Sequence, residues 1–227
     1  MSQINLVTVC TDDYPMVYPV KLHRQFQRLT RLSVSHYCIT DRPSELSNNI
    51  MPITPFIKSE GWWNKINLYS SQMPKGIILY MDLDIVILQN FDTEIIAMSE
   101  CGYSMSCVSD AISWMGEKFS SSLMCFESGE HNEIFERFKK FESAIVGRKG
   151  GDQVWTGPQI ESIYYADDHY PNLKKNLKFD LARKTPENEL ILPQTIDSRV
   201  KLVDCGGRPK PHELQMISYI NENWHSV

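Results

Sequence analysis

The sequence predicts an α/β fold in which a mostly parallel central sheet is flanked by helices. Two observations carry this expectation. The first forty residues alternate an apolar run, a helical stripe and a second apolar run, and parallel strands need a crossover of that kind between them. Further on, residues 77–88 read IILYMDLDIVIL, an apolar stretch too short and too β-branched for a free-standing helix. At 227 residues the chain can bury roughly 70% of its unfolded surface, enough to build a core around such a sheet.

Taken in order, Ile4–Val9 reads as a buried strand ending at the polar Cys10-Thr11-Asp12-Asp13-Tyr14-Pro15. Residues 16–29 place Val17, Val20, Leu22, Phe26 and Leu29 on one helical stripe, and Ser33–Thr40 forms a second strand closed by Asp41-Arg42-Pro43. This Rossmann-like spacing implies parallel pairing through a right-handed crossover. Gly61–Met73 reads as a helix stopped by Pro74-Lys75-Gly76. Ile77–Met81 and Ile85–Leu88 are strands on either side of Asp82-Leu83-Asp84. Tyr103–Val108 and Ser121–Phe126 follow as strands, and Asn132–Phe141 as a helix carrying Ile134, Phe135, Phe138 and Phe141. From about residue 165 the pattern weakens, punctuated by Pro186, Pro193, Pro209 and Pro211.

The formal net charge is −5 with both signs intermixed, which excludes the basic face of a nucleic-acid binder. Cys10, Cys38, Cys101, Cys107, Cys125 and Cys205 form no Cys-x-x-Cys pair and mostly sit in apolar runs, as free thiols of a reducing compartment do. No run approaches the roughly 20 apolar residues of a membrane helix, and the first apolar run lacks the basic flank and length of a secretion signal. A cytoplasmic protein without a transmembrane segment is expected; its oligomeric state is not indicated.

Asp82 and Asp84 are the strongest chemical signal. Two carboxylates between buried strands must leave water and repel each other, a cost usually tolerated where a cation neutralises them. On an extended segment, side chains at i and i+2 share a face, so both can converge on one hard cation, Mg²⁺ or Mn²⁺. Ligands of open α/β sheets gather at the carboxyl ends of strands, where both this pair and the Thr11–Tyr14 loop lie. The bland alternative is a strand-end turn with two solvated aspartates.

The segment GWWNKINLY…GIILYMDLDIVILQNFD, Gly61–Asp92, resembles the core signature of GT-A-fold glycosyltransferases, especially the retaining enzymes of glycosyltransferase family 8 and their bacterial relatives. In that family a lysine or arginine precedes a hydrophobic strand ending in D-x-D, and an N-x-D-like turn follows. The resemblance covers most of residues 4–160 in motif order and a short block near 203–213. It implies one Rossmann-like GT-A domain over residues 1–227, with a nucleotide-binding half over about 1–100 and an acceptor half with a C-terminal elaboration over about 101–227.

The resemblance also implies roles. Asp82 and Asp84 would hold Mn²⁺ or Mg²⁺ bridging the donor diphosphate, with Leu83 against the donor, and Lys65 would reach its phosphates or sugar; without that context Lys65 is an exposed helix lysine. Thr11, Asp12, Asp13 and Tyr14 match the nucleotide-binding loop, Asp12 accepting from a uracil-type N–H and Tyr14 lying near the base. A helix cap is the alternative for Asp12 or Asp13, and equally for Asp152. Gly151-Asp152-Gln153 matches a G-D-Q segment beside the transferring sugar, making Asp152 and Gln153 the candidate catalytic pair. Lys210, in Gly207-Arg208-Pro209-Lys210-Pro211-His212, matches a diphosphate-binding lysine. The family's metal-binding histidine is missing: Gly206 stands at its expected place, with His212 as a substitute or a surface residue. Ser120-Ser121-Ser122 stands where relatives have an asparagine-containing turn. Among the tryptophans Trp155 is the candidate for lining the acceptor site, while Trp62, Trp63 and Trp224 could cover an interface.

The implied activity is metal-dependent transfer of a sugar from a nucleotide-diphosphate donor, a retaining reaction of a UDP-sugar, to a carbohydrate or other hydroxyl acceptor. The alternatives are a nucleotide-sugar-binding protein with weakened catalysis and a Mg²⁺-dependent phosphohydrolase using an aspartyl phosphate. The latter expects its D-x-D after the first strand rather than eighty residues on.

Overall fold

Strand β1 (Ile4–Val9) and strand β2 (Val34–Ile39) pair in parallel, from Ile4 opposite Val34 to Val9 opposite Ile39, joined by helix α1 (Val17–Leu29). The computed structural model describes residues 3–11, 14–111, 118–147 and 150–226. Strand β3 (Met51–Ile53) extends the sheet beyond β2, and β4 (Ile77–Met81) pairs in parallel with the other side of β1. After β5 (Ile85–Ile87) and helix α2 (Asp92–Ser99) come β6 (Met105–Ser109) and β7 (Phe119–Glu127). Helices α3 (Asn132–Ile145) and α4 (Gly151–Thr156) precede β8 (Ile163–Tyr165). The resulting order is β3-β2-β1-β4-β7-β6-β8, parallel except at the two pairings made by β7. The α/β class with a mostly parallel sheet stands as expected. β1 and β4 are apolar nearly throughout because both faces of the sheet are covered.

The chain leaves this sheet at the acidic pair. The Ile85 N–H donates to the Asp82 carbonyl at 3.2 Å, closing a tight turn, and β5 enters a second sheet. There β5 pairs antiparallel with β12 (Leu202–Asp204), which pairs in parallel with β9 (Lys174–Asn176); β10 (Arg183–Lys184) and β11 (Leu190–Ile191) form a hairpin between them. The extended geometry expected for Asp82-Leu83-Asp84 is therefore replaced by a turn between sheets. It still aims both carboxylates into one cavity.

Gly61–Tyr69 is a 3₁₀ stretch ending four residues earlier than the helix expected from the sequence. Its buried residues Trp63, Ile66 and Tyr69 recur every third position, the period at which 3₁₀ side chains eclipse. Asn64 and Asn67 compete for the backbone: the Ser59 and Ile57 N–H groups donate to their side-chain oxygens at 3.0 and 2.9 Å. Their amides donate to the Ser59 and Ile57 carbonyls at 2.7 and 2.8 Å.

In α3, Ile134, Phe135 and Phe138 are buried, but Phe141 lies at a kink and is exposed, and the helix runs on to Ile145. Ser120–Ser122 lie inside β7 rather than in a turn. All six cysteines are free, and all but Cys101 are buried. Trp63 and Trp224 are buried in core clusters and are not interface residues of this chain's surface. Trp155 is half-buried and packs against Trp63 and Phe138. Trp114 lies outside the described residues. Among the described residues no helix is long and apolar enough to cross a membrane.

Candidate functional site

A cavity of about 650 Å³ opens at the carboxyl ends of β1 and β4, lined by Thr11, Tyr14, Lys65, Asp82, Asp84 and Lys210 among others. Each is brought there by a different device. Asp82 ends β4, its N–H donating to the Ser122 carbonyl of β7 at 2.8 Å. Asp84 is fixed by its own carbonyl, which accepts from the Cys205 N–H at 3.1 Å. Lys65 sits on the asparagine-clamped 3₁₀ stretch. Lys210 is held at the start of a short turn by its N–H, which donates to Glu213 Oε2 at 2.7 Å.

The acids and lysines interleave. Lys65 Nζ lies 2.8 Å from Asp82 Oδ1 and donates to Ser121 Oγ at 3.2 Å, while the Tyr80 hydroxyl also donates to Asp82. Lys210 Nζ lies 2.5 Å from Asp84 Oδ2 and 2.9 Å from the Tyr14 hydroxyl, which donates to the same carboxylate at 3.4 Å. Burial raises the proton affinity of Asp82 even against the nearby Lys65 ammonium. Burial and the neighbouring Asp82 charge raise that of Asp84, again against Lys210. For Lys65 burial works downward, but Asp82 and Asp152 outweigh it and hold the ammonium above its ordinary range. The Tyr14 phenol is pushed up by burial and then by Asp84.

A third carboxylate, absent from the sequence reading, completes the cluster. Asp204 is the last residue of β12, and register with β5 sets it opposite Ile85. Its charge bears on both Asp82 and Asp84. Burial alone would protonate Asp204, but Lys174 at 3.2 Å and the Gly206 N–H at 2.8 Å keep it below the usual carboxylate range. Lys174 is itself buried and donates to Ser122 Oγ at 3.0 Å. A side chain at Gly206 would press on Asp204 Oδ1 at 3.0 Å, so the glycine serves the carboxylate two residues before it. The signal was legible in principle: LVD repeats, in shorter form, the apolar-run-then-aspartate pattern of IILYMD.

His212 is in the cavity wall, and its Nδ1 is hydrogen-bonded with the Tyr18 hydroxyl of α1, which orients the ring and leaves Nε2 as its other polar atom. Among the described residues no three His, Cys, Asp or Glu side chains converge closely enough to hold a metal ion. Asp82 and Asp84 are the carboxylates that would hold a hard divalent cation in this cavity, with the remaining positions left to water and phosphate oxygens. Leu83 is buried against the cavity and Thr11 lines it, whereas Asp12 and Asp13 lie outside the described residues. Tyr14 faces Asp84 and Lys210. Asp152 is buried in the first turn of α4, capped by Gly150 rather than acting as the cap, and its charge reaches Lys65. Gln153 Nε2 donates to Asp110 Oδ2 at 2.5 Å. The asparagine of the N-x-D turn and its Asp92 are structural: Asp92 accepts from the Arg31 N–H at 2.9 Å and from Asn90 Nδ2 at 2.7 Å. Trp62, not Trp155, is the tryptophan at the cavity, 61% exposed with its indole against Gly151.

The architecture has solved counterparts. The galactosyltransferase LgtC, solved with donor and acceptor sugar analogues, aligns over 96% of this chain and 96% of its own, with TM-score 0.64 and 12% identity. The fold is that of glycosyltransferases. GlyE of Streptococcus pneumoniae TIGR4 aligns over 99% of this chain and 62% of its own, with TM-score 0.66 and 11% identity. The bifunctional glycosyltransferase WbbM aligns over 98% of this chain and 50% of its own, with TM-score 0.56 and 9% identity. No protein-family model matches the sequence, and no curated protein matches it.

Proposed function

We propose that this chain is a glycosyltransferase that moves a sugar from a nucleoside-diphosphate donor, a UDP-sugar, to a hydroxyl-bearing acceptor. The observation that carries the reading is the convergence of Asp82, Asp84, Lys65 and Lys210 from three separated segments on one cavity at the carboxyl end of the sheet. LgtC, of the same fold, was solved with donor and acceptor sugar analogues, which supports a sugar donor and acceptor here. A Mn²⁺ or Mg²⁺ ion held by Asp82 and Asp84 would supply Lewis-acid neutralisation of the leaving diphosphate.

The chain's own residues do the rest. In the transfer the anomeric C–O bond to the diphosphate breaks, a new C–O bond forms to the acceptor oxygen, and the hydroxyl proton passes to a departing phosphate oxygen. Lys65 and Lys210 place fixed positive charge where that leaving group develops its negative charge. Thr11 and Tyr14 line the nucleotide end. Asp152 is assigned to the positive charge growing at the anomeric carbon, and Gln153, beside it in α4, to orienting the sugar. Acceptor attack on the face the diphosphate leaves retains configuration, and an inverted product by NMR would sink that step.

The test of the function is a thermal-shift panel of UDP-, GDP-, CDP- and dTDP-sugars with and without Mn²⁺, followed by measurement of donor consumption. A Mn²⁺-dependent rise in melting temperature with one base is expected, since only a ligand of the folded state stabilises it. No rise with any member overturns the reading. A rise without any donor turnover, with a range of sugar acceptors present, favours the catalytically weakened binding protein.

A further inference from the structure

Three lysines pair with the acidic cluster, and a fourth lies at the cavity wall without such a partner among the described residues. The ammonium groups of Lys65, Lys174 and Lys210 lie within 3.2 Å of Asp82, Asp204 and Asp84 respectively. Lys178 is the exception. Its side chain is half-buried and pairs with no carboxylate among the described residues. Its Nζ lies against Gly207, a wall residue of the cavity, only 2.6 Å from where a side-chain β-carbon would begin. Gly207 has φ +75°, a conformation that glycine adopts without strain, so the wall is bare where the ammonium approaches.

The placement is built. The Asn176 side-chain oxygen accepts from the Lys178 and Phe179 N–H groups at 3.0 and 3.3 Å, and Asp180 Oδ2 accepts from the Asn176 N–H at 2.7 Å. The backbone beneath Lys178 is thus fixed just past the end of β9, the strand that also carries Lys174. An ammonium without a counter-ion gains more from a nearby anion than one already paired does.

We infer that Lys178 is a positioning residue for the diphosphate of the donor, adding from behind Gly207 a further positive charge to those of Lys65 and Lys210. The inference rests on the donor reading above, because the ligand class it names is a pyrophosphate held in the same cavity.

The test measures binding of UDP, GDP, CDP and dTDP, and of the matching free nucleoside, by calorimetry with Mn²⁺ for wild type, Lys178→Gln and Lys178→Arg. Arg208→Gln, altering an exposed neighbour bound to Glu213, serves as control. Lys178→Gln is expected to weaken the preferred nucleoside diphosphate about tenfold and to flatten its salt dependence, with nucleoside affinity and melting temperature unchanged. Lys178→Arg keeps most of the affinity, and Arg208→Gln behaves as wild type. Equal diphosphate affinity in wild type and Lys178→Gln overturns the role of Lys178 alone. A wild type that binds none of the four overturns the donor reading itself, and the ligand assigned to Lys178 with it.

Discussion

At the scale of single residues the acidic cluster is a place where buried charge costs stability. Asp84 is buried, and both burial and the Asp82 charge disfavour its ionised form. An acid whose folded-state pKa is raised takes up its proton more readily when folded, so it costs stability once pH exceeds its unfolded value. Asp84→Asn removes that charge and keeps an oxygen for Lys210 and Tyr14. The variant is expected to melt on the order of a few degrees higher than wild type by calorimetry while losing Mn²⁺-dependent nucleotide binding. A lower melting temperature would mean that the Lys210 ion pair, rather than the charge repulsion, dominates at this site.

Elements decide how much of this could be seen in advance. The β1-α1-β2 unit and β4 were legible because their apolar periods are local and both faces of the sheet are covered. The 3₁₀ stretch was not, because its conformation is set by Asn64 and Asn67 reaching back to Ser59 and Ile57, contacts that apolar spacing does not reveal. Asp204 and Lys174 escaped for a similar reason: each gains meaning only through the pairing of β12 with β5 and β9. The same clamp yields a prediction for the element. Asn67 is fully buried and bonds the Ile57 N–H, the Ile57 carbonyl and the Asn64 carbonyl. Asn67→Ala strands these groups and is expected to cost about 2–4 kcal/mol in urea unfolding, at 1–3 kcal/mol per unsatisfied buried group with some relaxation. Because Lys65 rides on this stretch, nucleotide affinity falls as well; a variant with normal affinity would show that Lys65 is placed by Asp82 alone.

For the whole molecule, the ends of the chain are joined around the site: Tyr18 of α1 packs on Trp224 and bonds His212. The opposite side of the sheet's first crossover carries a different constraint. His36 on β2 is buried, its Nδ1 lies 3.0 Å from His23 Nδ1 on α1, and its Nε2 lies 3.3 Å from Thr8 Oγ1. Burial, with a smaller contribution from His23, pushes the His36 pKa down from 6.5 to about 3. Burial and Arg24 also lower that of His23. Above pH 6.5 both folded and unfolded His36 are neutral and the residue adds no pH dependence. Below it the unfolded chain takes up a proton that the folded chain refuses, so stability falls with pH until the folded ring titrates near 3. The loss is about 1.4 kcal/mol per pH unit across that window, or roughly 3 kcal/mol between pH 6.5 and 4.5. Urea unfolding of wild type and His36→Gln at pH 7 and pH 4.5 isolates this contribution from that of the carboxylates, which both proteins share. The glutamine variant is expected to lose about 3 kcal/mol less than wild type on acidification. Parallel losses in the two proteins would mean that His36 accepts its proton without leaving the fold, and that the joint between α1 and β2 is not what limits stability in acid.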